Sequence, residues 1–549
     1  MMVRKTNFFP WLLATLLLSC GSNVDFGQSA ATATTTTGLC IPFAGTSGAF
    51  TFSGTALYED KTYDANSFTG VATLPVRYAT VDVLRCSDSL KLASASTDIN
   101  GNFTVSGNNT GSPGVQVRVY SNATVPGQNP VIVTDLRGNV YAMATGRIDE
   151  RTSPALSLTA PVTTAGAAFN LLDVGTKGIE YMIANLALAS PLPPLDVVWR
   201  SGFGVGSSYF SVPFTVPTIT INSTISDPDE YDDTVMMHEM GHFVAYALSK
   251  DTSPGGIHYL FEPDQDARLA WSEGWGGYFS GAALGSPIYL DTNPTKNWGY
   301  DLETVASDPL FWALGSGPVF PARGGSVSEN DVAAFLWDLV DTPATDDDGT
   351  SGLGPNVLTA FTALGLVLNT THDEFWRKLT PGLGPSLAAV EATAALNGMD
   401  LTWDGGLDDT FAGATVSVTP NGPAVFGNLA PNPFFLSSDT DYYLVTLAAS
   451  TPYTFRISYQ SGGLDAMLAL NDPAGANVAS DDNLGIDYST CGFYLPPSCP
   501  RNGSSFDPAI SYTPPALMGG VYQIWVKHSA ISPPYAGQFG AYALTVTSP

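Results

Sequence analysis

The chain has 549 residues, a formal net charge of −29 at pH 7 and a pI near 4.2. This length exceeds what one hydrophobic core usually serves, so we expect several domains. The negative charge argues against nucleic acid and anionic lipid as partners, because both would repel the protein. This excess of acidic residues favours a secreted or surface-displayed protein.

The N-terminus has the layout of a secretory signal peptide over residues 1–20: two basic residues, an apolar run Phe8–Leu18, then Ser19 and Cys20. The run is too short to span a membrane. Its ending LLSC resembles a bacterial lipobox, which implies that Cys20 is lipidated and anchors an exported protein. Gly21 resembles the signal for sorting to an outer membrane or the cell surface. The alternative is a plain signal peptide that is cut near this point.

Residues 21–39 are polar and end in ATATTTTG, which is typical of a tether. Short alternating apolar runs between glycines and asparagines predict a β-sandwich over residues 40–150. Within it, TDINGNFTV (Thr97–Val105) resembles the turn of transthyretin-like, Ig-like domains. The alternative is a propeptide. A Ser/Thr/Ala/Pro-rich linker is expected from Thr152 to Gly166.

Apolar residues recur at helical spacing after this linker, for example Phe169, Leu172, Ile179 and Met182. Residues 166–403 are therefore predicted to form a mainly α (α+β) unit. One predicted strand, Thr218–Ile221, precedes its central motif.

The tail, residues 404–549, returns to period-two alternation and predicts a second β-sandwich. Its segments DTDYYLVTL (Asp439–Leu447), GGLDAMLALNDPAG (Gly462–Gly475) and GGVYQIWV (Gly519–Val526) resemble the bacterial pre-peptidase C-terminal domain. That resemblance implies a jelly-roll-like accessory module of the kind carried by secreted peptidases.

Four cysteines remain beside Cys20, an even number that suits an oxidising compartment. We expect a disulfide between Cys491 and Cys499, which would close a small loop. A second disulfide between Cys40 and Cys86 would tie down the start of the first sandwich.

The stretch HEMGH (His238–His242) carries the chemistry. Asp232 and Asp233 can cap a helix start, and no proline interrupts Thr234–Lys250. Residues four apart share a helix face, so His238 and His242 can bind one metal ion, whereas Glu239 reaches a bound water. An unpaired Glu239 on this apolar helix would be costly if it were only structural.

HEMGH followed by SEGWGGYF resembles the gluzincin zinc metallopeptidases, and fungalysins most. The resemblance implies Glu273 as the third zinc ligand and Glu239 as the general base. Glu262 is an alternative third ligand, although Pro263 biases it away from helical geometry. Many thermolysin-like enzymes carry an aspartate four residues after the third ligand; this chain has Gly277, so the residue supporting the histidine is open.

Three protein ligands leave one position on Zn²⁺ for a water that Glu239 can deprotonate for attack on a peptide carbonyl. A further donor would have to stabilise the oxyanion, and the candidates are His258, Tyr259 and His372.

The sequence thus predicts an exported zinc metallopeptidase that acts on peptide or protein substrates, and we expect it to be an endopeptidase. The alternative is a surface adhesin or binding protein whose zinc is structural or inactive. The acidic run Asp346–Asp348 could bind Ca²⁺, but a solvated loop is the other interpretation.

Overall fold

The structure is a computed structural model that describes residues 40, 47–63, 68–255, 258, 267–292, 298–303, 328–342, 349–367, 370–397, 416–429, 440–458, 466–482, 508–528 and 540–549. The signal peptide, the tether, Cys20 and the expected Cys491–Cys499 disulfide lie outside these residues. Within them, no helix is long and apolar enough to cross a membrane.

The first part of the chain is built of strands, as its alternating pattern predicts. Val115–Ala123, for example, buries every second residue. The strands are β1 (Ala49–Tyr63), β2 (Phe68–Pro75), β3 (Ala79–Arg85), β4 (Lys91–Ser96), β5 (Asn102–Asn108), β6 (Val115–Ala123), β7 (Val131–Thr134), β8 (Ala142–Ala144) and β9 (Ala155–Ala160). A disulfide joins Cys40 to Cys86.

The following part is mainly helical, with short strands between the helices. Its elements are α1 (Gly166–Asn185), β10 (Leu195–Val198), β11 (Tyr209–Ser211), β12 (Thr218–Thr220), β13 (Ser223–Thr224), β14 (Asp227–Pro228), α2 (Asp233–Leu248), α3 (Ala267–Leu284), β15 (Ile288–Asp291), β16 (Trp298–Asp301), α4 (Glu329–Asp338), α5 (Gly354–Ala363), α6 (His372–Leu379) and α7 (Leu387–Leu396). The helix and strand types predicted here are confirmed for α1, α2 and β12.

Two sheets form the sandwich. One has the order β2-β1-β5, with β9 also paired to β1, and the other has the order β11-β12-β10-β7-β6-β3-β4, with β8 paired to β6. Their inner faces meet in one core through residues such as Phe52 and Val105 from the first sheet and Val81 and Val117 from the second. The pairing places β11 at one end of the large sheet.

The expected linker Thr152–Gly166 is wrong in its central part, because Ala155–Ala160 forms β9 and pairs in parallel with β1. The large sheet also continues past this segment, since β10 pairs in parallel with β7, and β12 pairs in parallel with β10. One hydrophobic core runs from Phe50 to Ala394. The first sandwich and the helical part therefore share their interior.

Helices α2 and α3 pack closely because glycines face each other. A Cβ atom built on Gly241 would lie 2.9 Å from the Cα of Gly276. The indole Nε1 of Trp275 donates to the carbonyl of Gly241 over 3.1 Å, and the hydroxyl of Ser280 donates to the carbonyl of Thr234 over 2.9 Å. These contacts fix how the two helices lie against each other.

The tail forms two further sheets with a core of their own. Their orders are β17-β19-β24-β21-β22 and β18-β25-β20-β23. The strands are β17 (Ser417–Val418), β18 (Val425–Leu429), β19 (Thr440–Leu447), β20 (Tyr453–Ser458), β21 (Ala466–Asn471), β22 (Asn477–Asp482), β23 (Ala509–Tyr512), β24 (Gly520–His528) and β25 (Gly540–Thr547). The two sheets enclose one core, which is the sandwich that the alternation predicts.

A buried ion pair links the sandwich to α1. The guanidinium Nε of Arg77 lies 2.5 Å from Oδ1 of Asp173, and Nη1 lies 2.6 Å from Oε2 of Glu180. Lys177 and the hydroxyl of Tyr58 also contact the Asp173 carboxylate. The pair holds α1 against the connection between β2 and β3, which contains Arg77.

Arg77→Ala is expected to lower the free energy of unfolding by about 2–3 kcal/mol, because the negative charge of the buried Asp173 would then be balanced only by its remaining partners. The control is Arg151→Ala, which breaks an exposed pair with Asp149 and should cost about 0–1 kcal/mol. Chemical denaturation of the three proteins measures both values. Equal losses in the two variants would contradict a structural role for the Arg77 pair.

Candidate metal centre

The side chains of His238, His242 and Glu273 converge where α2 crosses α3. Nε2 of His238 lies 3.1 Å from Oε2 of Glu273, Nε2 of His242 lies 3.4 Å from the same oxygen, and the two Nε2 atoms are 3.2 Å apart. One ligand atom from each of the three residues lies within 4.8 Å of the others. We call these residues the histidine–glutamate site.

The glycines of the helix contact make this convergence possible. A Cβ atom on Gly276 would lie 2.7 Å from Cε1 of His238 and 2.8 Å from its Nε2. Any larger residue would therefore push the imidazole out of its position. The small residues in SEGWGGYF therefore have two effects. They allow the helices to approach each other, and Gly276 leaves room for the His238 ring.

Charge within the site is balanced between the three residues. Burial lowers the pKa of His242, but the Glu273 carboxylate outweighs burial and raises the pKa to about 10. Burial raises the pKa of Glu273, but His242 and His238 together hold it well below its usual value. Two imidazoles and one carboxylate are a donor set that suits a divalent transition metal, which replaces the proton that they otherwise share.

Glu239 lies beside the site on α2 and is buried. Burial raises its pKa, and the two histidines oppose this rise. It also accepts a hydrogen bond from the backbone N–H of Phe210 in β11. The Phe210 ring packs against Phe243 and Tyr246 of α2 at centroid distances of 6.3 and 6.0 Å. The end strand of the large sheet is therefore fixed next to Glu239.

Asp251 and Ser272 support His242 from behind, a function that the sequence left open at Gly277. Nδ1 of His242 lies 3.8 Å from Oδ2 of Asp251 and 3.4 Å from the Ser272 hydroxyl, which donates to the same Asp251 oxygen over 2.8 Å. A carboxylate behind a ligating histidine orients the ring and raises its basicity. Sequence reasoning missed both residues, because the end of one helix and the start of another carry them.

His258 is the one oxyanion candidate that lies near the site among the described residues. Its Nε2 is 3.7 Å from Oε2 of Glu273 and 3.8 Å from Oε2 of Glu329. Glu329 is buried at the start of α4, and sequence reasoning did not find it. The three residues form a second group of ligand-type atoms, which shares Glu273 with the group of His238 and His242.

The other candidates lie apart or outside the described residues. His372 begins α6, and its ring packs against Phe335 and Trp376 at centroid distances of 5.2 and 6.4 Å. It belongs to none of the groups of metal-ligand type found in the described part of the chain. Tyr259, the alternative ligand Glu262 and the acidic run Asp346–Asp348 are not among the described residues.

The family model described as the Mycolysin C-terminal domain matches residues 193–395. This domain is found in secreted metallopeptidases. The matched residues, which are less than half of the chain, contain His238, Glu239, His242 and Glu273. The match associates this part of the chain with a protease. No curated protein matches the chain.

Solved structures resemble parts of the chain at low identity. The pre-peptidase C-terminal domain of a collagenase from Bacillus anthracis is 15% identical, and the match covers 24% of this chain and 92% of that one, with a TM-score of 0.16. PliG, a periplasmic lysozyme inhibitor from Aeromonas hydrophila, is 16% identical over 24% and 96%, with a TM-score of 0.16. CorA, a surface-associated copper-binding protein from Methylomicrobium album BG8, is 16% identical over 25% and 99%, with a TM-score of 0.17. At these TM-scores the similarity does not assign a fold or a function to the chain.

Gly276→Ala is expected to weaken binding of a divalent metal at the histidine–glutamate site by roughly tenfold or more, because the added methyl group displaces the His238 ring. Gly354→Ala is the matched control: it also adds one methyl group to a helix, and a Cβ there meets nothing within 4 Å. Metal titration of the purified proteins measures the difference. Unchanged affinity in Gly276→Ala would contradict the contact.

Proposed function

We propose that the protein is an exported zinc metallopeptidase that hydrolyses peptide bonds. The observation that carries this proposal is the convergence of His238, His242 and Glu273 within 4.8 Å, inside the segment that matches a metallopeptidase-associated family. Zinc is the metal that best suits two imidazole nitrogens and one carboxylate oxygen. Three protein ligands are also the usual number in catalytic zinc sites.

When bound, Zn²⁺ would lower the pKa of a coordinated water and polarise the substrate carbonyl. Side chains of the protein would then accept and donate the protons of the reaction. Glu239 is next to the ligands and its pKa is raised by burial, so it can accept a proton from the attacking water and pass it to the departing amine. Asp251 would hold the ring of His242 in its ligating orientation.

An extended peptide is the substrate that the surroundings of Glu239 favour. Strand β11 ends the large sheet, and its Phe210 backbone is hydrogen-bonded to Glu239. A strand at the end of a sheet can pair with an extended chain, which would bring a peptide bond past Glu239. We therefore propose peptide or protein substrates that are cleaved internally, and the position of β11 supports this proposal.

The remaining parts would serve export and display. We propose that residues 1–20 direct export, that Cys20 carries the lipid anchor to an outer membrane or cell surface, and that the tail sandwich is an accessory module like the pre-peptidase C-terminal domain. The association of the matched family with secreted proteins supports export. The acidic chain and the oxidised Cys40–Cys86 pair agree with it.

The second candidate is a surface adhesin or binding protein with a structural zinc. A fourth protein ligand would favour it, because structural zinc sites are closed. His258 is the residue that could supply this ligand. Its ring nitrogens group with Glu273 and Glu329 rather than with both histidines, and this favours the peptidase.

Glu239→Gln is expected to lower kcat/KM on a peptide library by about 10²–10⁴-fold while zinc content stays the same, because only the base is lost. Glu273→Gln should instead lose zinc and activity together. Glu391→Gln, on α7, is the matched control and should leave both unchanged. Mass spectrometry of the products and metal analysis of each protein give the two readouts. Full activity in Glu239→Gln would refute the mechanism.

His258→Phe separates the two candidate functions. If His258 donates to the oxyanion, kcat/KM should fall about 100-fold at unchanged zinc content. Loss of zinc in this variant would identify a fourth ligand and support the binding protein. His372→Phe provides the comparison, since that ring packs between aromatic side chains and should affect thermal stability rather than kcat.

A further inference from the structure

Three aspartates meet on the side of α2 where that helix begins. One carboxylate oxygen from each of Asp227, Asp229 and Asp291 lies within 4.8 Å of the others. Asp227 belongs to β14, Asp229 opens a 3₁₀ turn (Asp229–Tyr231), and Asp291 ends β15. We call these residues the aspartate group; the sequence pattern assigned them no role.

Some oxygen atoms of this group accept hydrogen bonds from other residues of the protein. Oδ2 of Asp229 accepts from the Ser208 hydroxyl over 2.6 Å, and Oδ2 of Asp227 accepts from Nδ2 of Asn222 over 2.6 Å. Asp229 is 3% exposed, yet its Oδ1 has no hydrogen-bond partner among the described residues. The same holds for Oδ1 of Asp291. Buried oxygens without partners are rare in folded proteins and call for an explanation, of which a bound ion is one.

A fourth carboxylate, Asp232, adds negative charge beside the group. Asp232 is 0% exposed, and its Oδ2 accepts from the backbone N–H of Thr292 over 2.9 Å, whereas its Oδ1 has no partner among the described residues. Lys177, the cation on neighbouring α1, pairs with Asp173 and Asp233 instead. In the described part of the chain, no ion pair offsets these four carboxylates.

Four acidic groups this close together, of which Asp229 and Asp232 are buried, need compensation, either by protons or by a cation. Burial, followed by the neighbouring acids, raises the pKa of Asp229 to about 9 and that of Asp291 to about 10. Protonation would remove charge and would let one carboxyl group donate to another, as between Asp227 and Asp229, but a shared proton joins only two oxygens. One cation would neutralise the charge and bind several of those oxygens together.

We propose that Asp227, Asp229 and Asp291 bind a Ca²⁺ ion, in addition to the metal of the histidine–glutamate site. The ligands are all oxygens, which favours a hard cation over zinc. They come from three short segments with different backbone geometry, which suits the irregular coordination of Ca²⁺ better than the strict octahedron of Mg²⁺. Asp232 would contribute charge from behind this shell.

The ion would join the chain just before α2 to the chain just after α3. Asp229 precedes α2, which carries His238, and Asp291 follows α3, which carries Glu273. The Tyr289 ring contacts the His238 ring at a centroid distance of 6.1 Å, and the backbone N–H of Leu290 donates to the Thr234 hydroxyl over 3.2 Å. Bound Ca²⁺ would therefore stabilise the strand that borders the histidine–glutamate site.

Calcium titration of the full, zinc-loaded protein by calorimetry, with zinc held constant, tests the site. The wild type is expected to bind one more Ca²⁺ than Asp229→Asn, or to bind it at least about tenfold more tightly, because the variant loses one charged ligand. Added Ca²⁺ should raise the thermal midpoint of the wild type more than that of the variant. Asp88→Asn, at an exposed carboxylate that pairs with Arg85, is the matched control and should behave as wild type.

Equal Ca²⁺ binding by the wild type and Asp229→Asn would overturn the proposal, and so would an Asp229→Asn protein that is more stable than the wild type at saturating Ca²⁺. An equal effect of Mg²⁺ at the same concentration would overturn the choice of ion. Asp291→Asn is the second variant if Asp229→Asn does not fold. Repeating the titration in Glu239→Gln tests calcium binding independently of the proposed peptidase activity, because calcium binding does not require that base.

Discussion

The contact between α2 and α3 at Gly241 and Gly276 is the constraint on which the rest of the structure depends. Metal ligands must lie within a few tenths of an ångström of their positions, and the candidate ligands here come from two helices. The helices reach that distance because neither carries a side chain where their backbones meet. Gly276 also leaves the space that the His238 ring occupies. A methyl group at this point would push apart the residues of the histidine–glutamate site.

The β-sandwich supports this helix pair rather than standing apart from it. The large sheet begins with strands of the first sandwich and ends at β11, whose Phe210 contacts Glu239 and packs on α2. Arg77 ties the same sandwich to α1. Because one core continues through both parts, a change in the strands can reach the site through packed side chains.

Charge compensation varies across this acidic protein. Asp173 has Arg77 and Lys177, and Glu273 has two histidines that a metal would relieve of their shared proton. The aspartate group has hydroxyl and amide donors but no cation among the described residues. Burying a carboxylate without a positive charge nearby costs folding free energy, so the aspartate group at the start of α2 is the place where a bound cation would stabilise the fold most.

Local patterns in the sequence determined the parts that depend on neighbours in the chain. Helical spacing located α1 and α2, alternation located the strands, and four-residue spacing placed His238 and His242 on one face. Tertiary structure alone decided which distant residues meet. Asp251 and Ser272 reach His242 only because α2 ends where α3 begins in space, and Asp291 reaches Asp229 only after the chain has passed through both helices. Strand β9 pairs in parallel with β1, about a hundred residues away, and its Ser/Thr/Ala composition resembles that of a linker. No local period encodes such contacts, because they depend on how separate elements pack.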